Sequence, residues 1–123
     1  MTGRHSYRVA DYLQHILDAI GRIQSYIADL SDAAALEADC ESQDAVVRNI
    51  EIIGEAANKI ARADPEFVAR HVEIEWTGLR GMRNKLIHDY FEVDFDLVWQ
   101  TVKHDLPDLE RKVRAALREL RPE

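Results

Sequence analysis

Apolar side chains recur at steps of three and four residues along most of this chain, the spacing that lines one face of an α-helix. Over residues 6 to 30 the stripe is Val9, Tyr12, Leu13, Ile16, Ile20, Ile23, Ile27 and Leu30, which predicts a long first helix facing a core. Ser31-Asp32 breaks the pattern. The acidic, alanine-rich stretch to Glu41 reads as a connection with room for a short helical turn. A second helix, capped by Asp39 or Ser42, runs to about Ala63 and buries Val46, Val47, Ile50, Ile53, Ala57 and Ile60. Gly54 sits in its middle at a cost of about 1 kcal/mol relative to alanine. That cost implies a second helix packed close to the backbone there.

Asp64-Pro65 predicts an N-cap followed by proline at the first helical position, opening a short helix through about His71. Trp76 to Leu86 forms another segment, with Trp76, Leu79, Met82 and Leu86 on one side. Gly78 and Gly81 make it dependent on its neighbours. The last helix is expected to start near Asp94 and to present Val98, Val102, Leu106, Leu109, Val113, Leu117 and Leu120, with a kink at Pro107. No segment alternates with period two. The fold expected is all-α: one domain over residues 1–123, an antiparallel bundle of four main helices plus a short one.

Composition narrows the class. Hydrophobic residues make up 46% of the 123 positions, enough to fill a core, and the 32% that are charged are interspersed rather than blocked, which argues against disorder. Cys40 is the single cysteine, so no internal disulfide or multi-cysteine metal site is possible. It falls in an acidic connection, which disfavours a reactive thiolate. The first residues lack an apolar signal region and no stretch of about 18 apolar residues occurs, so a cytoplasmic protein without a membrane span is expected.

The net charge of −7 argues against indiscriminate coating of nucleic acid. Its distribution is uneven. Positions 31 to 75 carry eleven acids against four bases, whereas 76 to 90 carry Arg80, Arg83 and Lys85 against Asp89 alone. That basic stretch includes Arg83-Asn84-Lys85-Leu86-Ile87-His88-Asp89-Tyr90, which gathers a fixed cation, an amide, an imidazole and a phenol. Arginine offers a planar fork that matches phosphate oxygens, and histidine exchanges protons near neutral pH. On one straight helix Arg83 and His88 would project about 140° apart. Either the helix ends between them or a second subunit supplies the complementary partner. Metal-free RNA cleavage needs a base, a cation and an acid. One His88 fills one proton-transfer role, so a homodimer with two copies of the pair on one groove completes the set.

At these residues the chain resembles the HEPN superfamily, and within it the HepT-like branch of toxins. The branch signature is an arginine, four to six residues, a histidine, and a tyrosine two positions on. Here these are Arg83, His88 and Tyr90. The stretch from Asp44 to Ala57, the motif entry Gly81-Met82-Arg83-Asn84, and Val93-Asp94, Val98-Trp99 and Asp105-Leu106-Pro107 carry the likeness along the chain. The resemblance implies a metal-independent endoribonuclease toxin of a type VII toxin–antitoxin system, homodimeric, with no cofactor. Arg83 would bind phosphate, His88 act as acid or base, Asn84 assist as a polar helper, and Arg80 and Lys85 add RNA contacts. Its partner would be a minimal nucleotidyltransferase antitoxin that silences the toxin by attaching AMP to Tyr90. The chain itself lacks the Gly-Ser pair and paired aspartates of such a transferase.

Other readings compete. A non-catalytic HEPN dimer that binds a nucleotide or the transferase would use Arg83 and His88 only as phosphate ligands. A metal site is disfavoured because no histidine follows a glutamate at Glu-x-x-His spacing, and the pair Asp11 and His15 suits a surface hydrogen bond better. Trp76 and Trp99 are read as packing residues, and the acidic run from Asp29 to Asp44 as solvated surface.

Overall fold

In the computed structural model, residues 3–89 and 92–121 are described, with side chains for 8–86 and 92–121. Seven helices appear among them. α1 (Gly3–Ile27), α3 (Cys40–Ala63), α5 (Trp76–Leu86) and α7 (Leu106–Leu120) are the main ones, with shorter α2 (Ala33–Glu37), α4 (Pro65–Arg70) and α6 (Phe95–Gln100). The fold is all-α. The expected single short helix becomes three, since the acidic connection does hold α2 and the last helix is divided so that α6 stands apart.

Cross-helix contacts fix the directions. Arg22 on α1 reaches Asn49 on α3 while Lys59 lies over the Tyr12 ring. Arg83 on α5 meets Glu51 as Gly54 meets Leu79. Gln24 reaches Glu110 on α7 as Arg121 reaches Asp11. In each pair of helices, one partner's number rises as the other's falls, so α1–α3, α3–α5 and α1–α7 all run antiparallel. Val9, Leu13, Ile16, Ile20, Ile23 and Ile27 of α1 are buried with Ile50, Ile53 and Ile60 of α3 and Leu106 and Val113 of α7 in one contiguous core. At about 1.5–3 kcal/mol for each large aliphatic chain buried, this face outweighs the intrinsic weakness of the glycine-bearing helices.

The caps follow local chemistry. Asp39 accepts from the backbone N–H of Ser42 and caps α3, so of the two expected caps Asp39 is used and Ser42 is buried against it. Cys40 therefore opens α3 and is exposed, rather than lying in the connection. Asp64 accepts from the N–H of Phe67 with Pro65 in the first turn, as expected. α4 stops at Arg70, where His71 leaves the helical backbone range. The acids from Asp29 to Asp44 are mostly exposed, and Asp32 additionally caps α2.

Two expectations need correction. The last helix is not one rod: Asp94 caps α6, a π-helical turn follows at Thr101–Asp105, and α7 begins at Leu106. The Leu106 N–H reaches back to the Thr101 carbonyl, five residues earlier. Pro107 has no N–H and its ring would collide with the carbonyl of Lys103 in a regular helix, and the wider turn makes room. A small antiparallel ribbon also exists, where Ile87–Asp89 (β1) pairs with Glu92–Val93 (β2), Ile87 opposite Val93 and Asp89 opposite Glu92, with an irregularity between. Strands of two and three residues are too short for alternation to be visible in sequence.

Gly54 behaves as its cost implied. A Cβ there would lie 3.1 Å from the Leu79 carbonyl oxygen, so only glycine lets the backbones of α3 and α5 approach this closely. No helix among the described residues is long and apolar enough to cross a membrane.

Candidate active site

Arg83 lies in the last turn of α5, where a cation is favoured by the unpaired carbonyls at a helix C-terminus. Its Nε donates to Oε2 of Glu51 on α3 at 3.1 Å. The other oxygen of Glu51 lies 3.7 Å from Nη1 of Arg48, one turn back on the same helix. The carboxylate thus stands between two guanidiniums and orients Arg83, whose side chain keeps 43% of its surface exposed. The close approach at Gly54 and Leu79 sits one helical turn from this pair on both helices and sets the distance across which Glu51 and Arg83 meet.

The seam between α3 and α5 opens as a groove of about 580 Å³. Arg80, Arg83 and Asn84 line it from α5, and Glu51, Gly54, Glu55 and Asn58 from α3. Three of the residues singled out in the sequence are therefore brought together. Lys85 is not with them: it lines a second cleft of about 290 Å³ between α5 and α7, over an apolar floor that includes Met82, Leu86 and Leu109 and beside Glu73, Asp105 and Asp108. The reason is helical geometry, since Lys85 projects about 160° from Arg83, two residues away, and about 140° from Arg80, five residues away, which puts it on the opposite flank of α5 from both.

α5 ends at Leu86, between Arg83 and His88, which is the first of the two alternatives that the spacing left open. The Leu86 carbonyl accepts from the Asp94 N–H at 3.0 Å, closing the segment that carries the rest of the motif. The backbone of His88 lies in β1, and its side chain is outside the described residues. Tyr90 is outside them entirely.

Glu51, Glu55 and Asn58 were not singled out in the sequence. Glu51 is 32 residues from Arg83, and nothing local links them. The available signal was their spacing at i, i+4 and i+7, which makes a polar stripe beside the buried face of α3. Trp76 is buried, its indole N–H donating to the His71 carbonyl at 3.0 Å, which supports its packing role. Trp99 is half-buried beneath Lys103. Asp11 pairs with Arg121, and His15 stands edge-on to Tyr12.

Comparison with known proteins places these features in a family. The family model described as Ribonuclease HepT-like matches residues 16–116. A Thermococcus cleftensis protein named Probable ribonuclease HepT is 42% identical over 102 residues, covering 83% of this chain and 89% of that protein. Among solved structures, a tri-AMPylated Shewanella oneidensis HEPN toxin in complex with MNT antitoxin superposes with a TM-score of 0.64 at 27% identity. The match covers 93% of this chain and 96% of that one.

Proposed function

This chain belongs to the HepT-like ribonuclease family, and from that premise we propose that it is an RNA-cleaving toxin whose reaction groove is the α3/α5 seam. The observation that carries the reading is Arg83, held by Glu51 at 3.1 Å on a groove it shares with Arg80 and Asn84. A guanidinium fixed in this way stabilises charge that develops on a phosphate without reorganising during the reaction.

In the proposed cleavage the RNA 2′-oxygen attacks the adjacent phosphorus, forming a new P–O bond while the bond to the 5′-oxygen breaks. A base takes the 2′-hydroxyl proton, Arg83 neutralises the phosphorane, Asn84 offers an amide to its oxygens, and an acid protonates the leaving 5′-oxygen. His88 is the proton carrier. Each chain contributes one, so two copies meeting at their Arg83 grooves supply base and acid together. No step requires a metal.

Silencing follows from the same motif. We assign Tyr90 as the acceptor of AMP from a nucleotidyltransferase antitoxin, a reading supported by the AMPylated state and the antitoxin of the Shewanella relative. A nucleotide on Tyr90, two residues from His88, would carry negative charge to the groove and repel RNA phosphates. The setting proposed is the cytoplasm, where such RNA is found.

Purified protein incubated with RNA in a chelator tests the proposal. Cleavage by the wild type that disappears in Arg83→Ala and His88→Ala, both still folded and dimeric, is the expected result. Intact RNA with the wild type would instead leave a phosphate-binding dimer without nuclease activity.

A further inference from the structure

The reaction groove is close to charge balance, with Arg80 and Arg83 facing Glu51 and Glu55. On a chain of net charge −7 it is a poor source of the electrostatic attraction that supplies most affinity for a polyanion. A strand that is cut there needs cationic contacts elsewhere.

The seam between α1 and α7 has them. A groove of about 230 Å³ is lined by Arg114, Leu117 and Arg118 of α7 with Arg121 at its C-cap, and by Gln14 and Leu17 of α1. No acid is among its lining residues. Arg114 and Arg118 stand at i and i+4 on one face of α7, which Arg111 extends at the preceding turn, and Arg121 follows at the C-cap just beyond Leu120. From Arg111 to Arg118 the stripe covers about 10 Å of helix, given a rise of about 1.5 Å per residue. The stripe is built almost wholly of arginine, whose planar fork matches phosphate oxygens where lysine offers a point charge.

Its present ion pairs are exchangeable. Arg114 meets Glu110 at 2.8 Å, and Arg121 meets Asp11 at 3.0 Å. The arginines are half-exposed in both, and exposed pairs contribute little to stability. Arg118 is exposed and has no ion pair among the described residues. A phosphate therefore gains these guanidiniums at little cost. The leucine floor between them suits the apolar faces of sugar and base.

We infer that the α1/α7 groove is a second RNA-binding surface, in which Arg114, Arg118 and Arg121 hold backbone phosphates of a single strand away from the bond that is cut. The inference rests on RNA being the substrate. α1 packs against both α3 and α7, and α5 faces α7 across the Lys85 cleft, so this groove and the Arg83 groove open on different seams of the bundle. A strand occupying both must pass around at least one helix, about 10 Å across, which makes the contribution a property of long RNA.

The test is fluorescence anisotropy with a single-stranded RNA of about twenty nucleotides, using full-length protein carrying His88→Ala so that nothing is cut. Each phosphate contact contributes about 0.7 to the slope of log affinity against log salt for single strands. The pair Arg114→Gln/Arg118→Gln is expected to lower that slope by about 1.4 and to weaken binding about tenfold or more at low salt. Arg114→Lys/Arg118→Lys should keep most of the slope, and circular dichroism checks that both variants fold. An unchanged slope and affinity in the glutamine pair overturns the inference. So does a poly-glutamate peptide that binds as tightly as RNA with the same dependence on Arg114 and Arg118, since the surface would then serve an acidic protein. If the parent protein cuts no RNA yet the slope still falls as expected, the ribonuclease reading fails and this surface stands.

Discussion

Arg83 on α5 donates its Nε to Glu51 on α3 at 3.1 Å, so the cation proposed to meet the phosphate is aimed by a carboxylate from a different helix. Glu51 serves as a positioning residue, since it acts through Arg83 rather than on substrate. Removing it frees a long side chain whose placement matters. Glu51→Ala is expected to lower kcat by about ten- to a hundredfold with a smaller change in KM, because small misplacements of catalytic groups cost about that much. Glu51→Gln, which keeps an acceptor oxygen for Nε, should recover part of the loss. Equal kcat in wild type and Glu51→Ala would remove the role.

Gly54 and Gly81 provide a matched pair of glycines. A Cβ at Gly81 meets nothing within 4 Å, whereas one at Gly54 lies 3.1 Å from the Leu79 carbonyl oxygen. Gly81→Ala should therefore stabilise the protein by up to about 1 kcal/mol through helix propensity. Gly54→Ala should gain less or lose stability, because α5 must move, and it should also slow RNA cleavage by shifting Arg83. Urea denaturation compares the two, and identical gains would show that the α3–α5 approach is not tight.

Acid should weaken the contacts that Glu110 makes within α7 and toward α1. Hydrogen bonds from Arg114, and next from Gln24, hold the Glu110 carboxyl below its ordinary range. A group whose pKa is depressed on folding stabilises the fold above its unfolded pKa and loses that contribution as pH falls through the folded value. Stability should accordingly decline from about pH 5 downward, and Glu110→Gln should show a shallower acid limb in denaturation measured across that window. An identical pH profile in the variant would mean that the pair contributes nothing.

Tyr90→Phe is expected to separate silencing from catalysis. It retains the ring and removes the phenolic oxygen proposed to accept AMP, so RNA cleavage should persist while the antitoxin with ATP no longer stops it. Mass spectrometry should find an AMP adduct on the wild type and none on the variant. An adduct on another residue would take Tyr90 out of this role.

Much of the fold was legible because helices of a small bundle announce themselves through local rules. The apolar stripes of α1 and α3, the Asp39 and Asp64 caps, the bounds Trp76–Leu86 and the cost of Gly54 all depend on residues within a few positions of one another. The π-helical turn before Pro107 was visible only as a disturbance, since the sequence shows that a regular helix is impossible there without showing how the chain yields. The ribbon of β1 and β2 was invisible because its strands are held by pairing rather than by a pattern of their own.

The candidate site divides along the same line. The residues proposed for its chemistry, Arg83 and Asn84 with the histidine and tyrosine beyond, stand out in the sequence because they lie within eight consecutive positions. That Arg80 shares the groove while Lys85 faces another cleft, that Glu51 aims Arg83, and that Arg114, Arg118 and Arg121 line one groove against α1 were all decided by packing. Sequence spacing determines which residues share a face of one helix. Which face then meets which, and at what distance, depends on how several helices bury their apolar sides at once, and that is set only when the whole core closes.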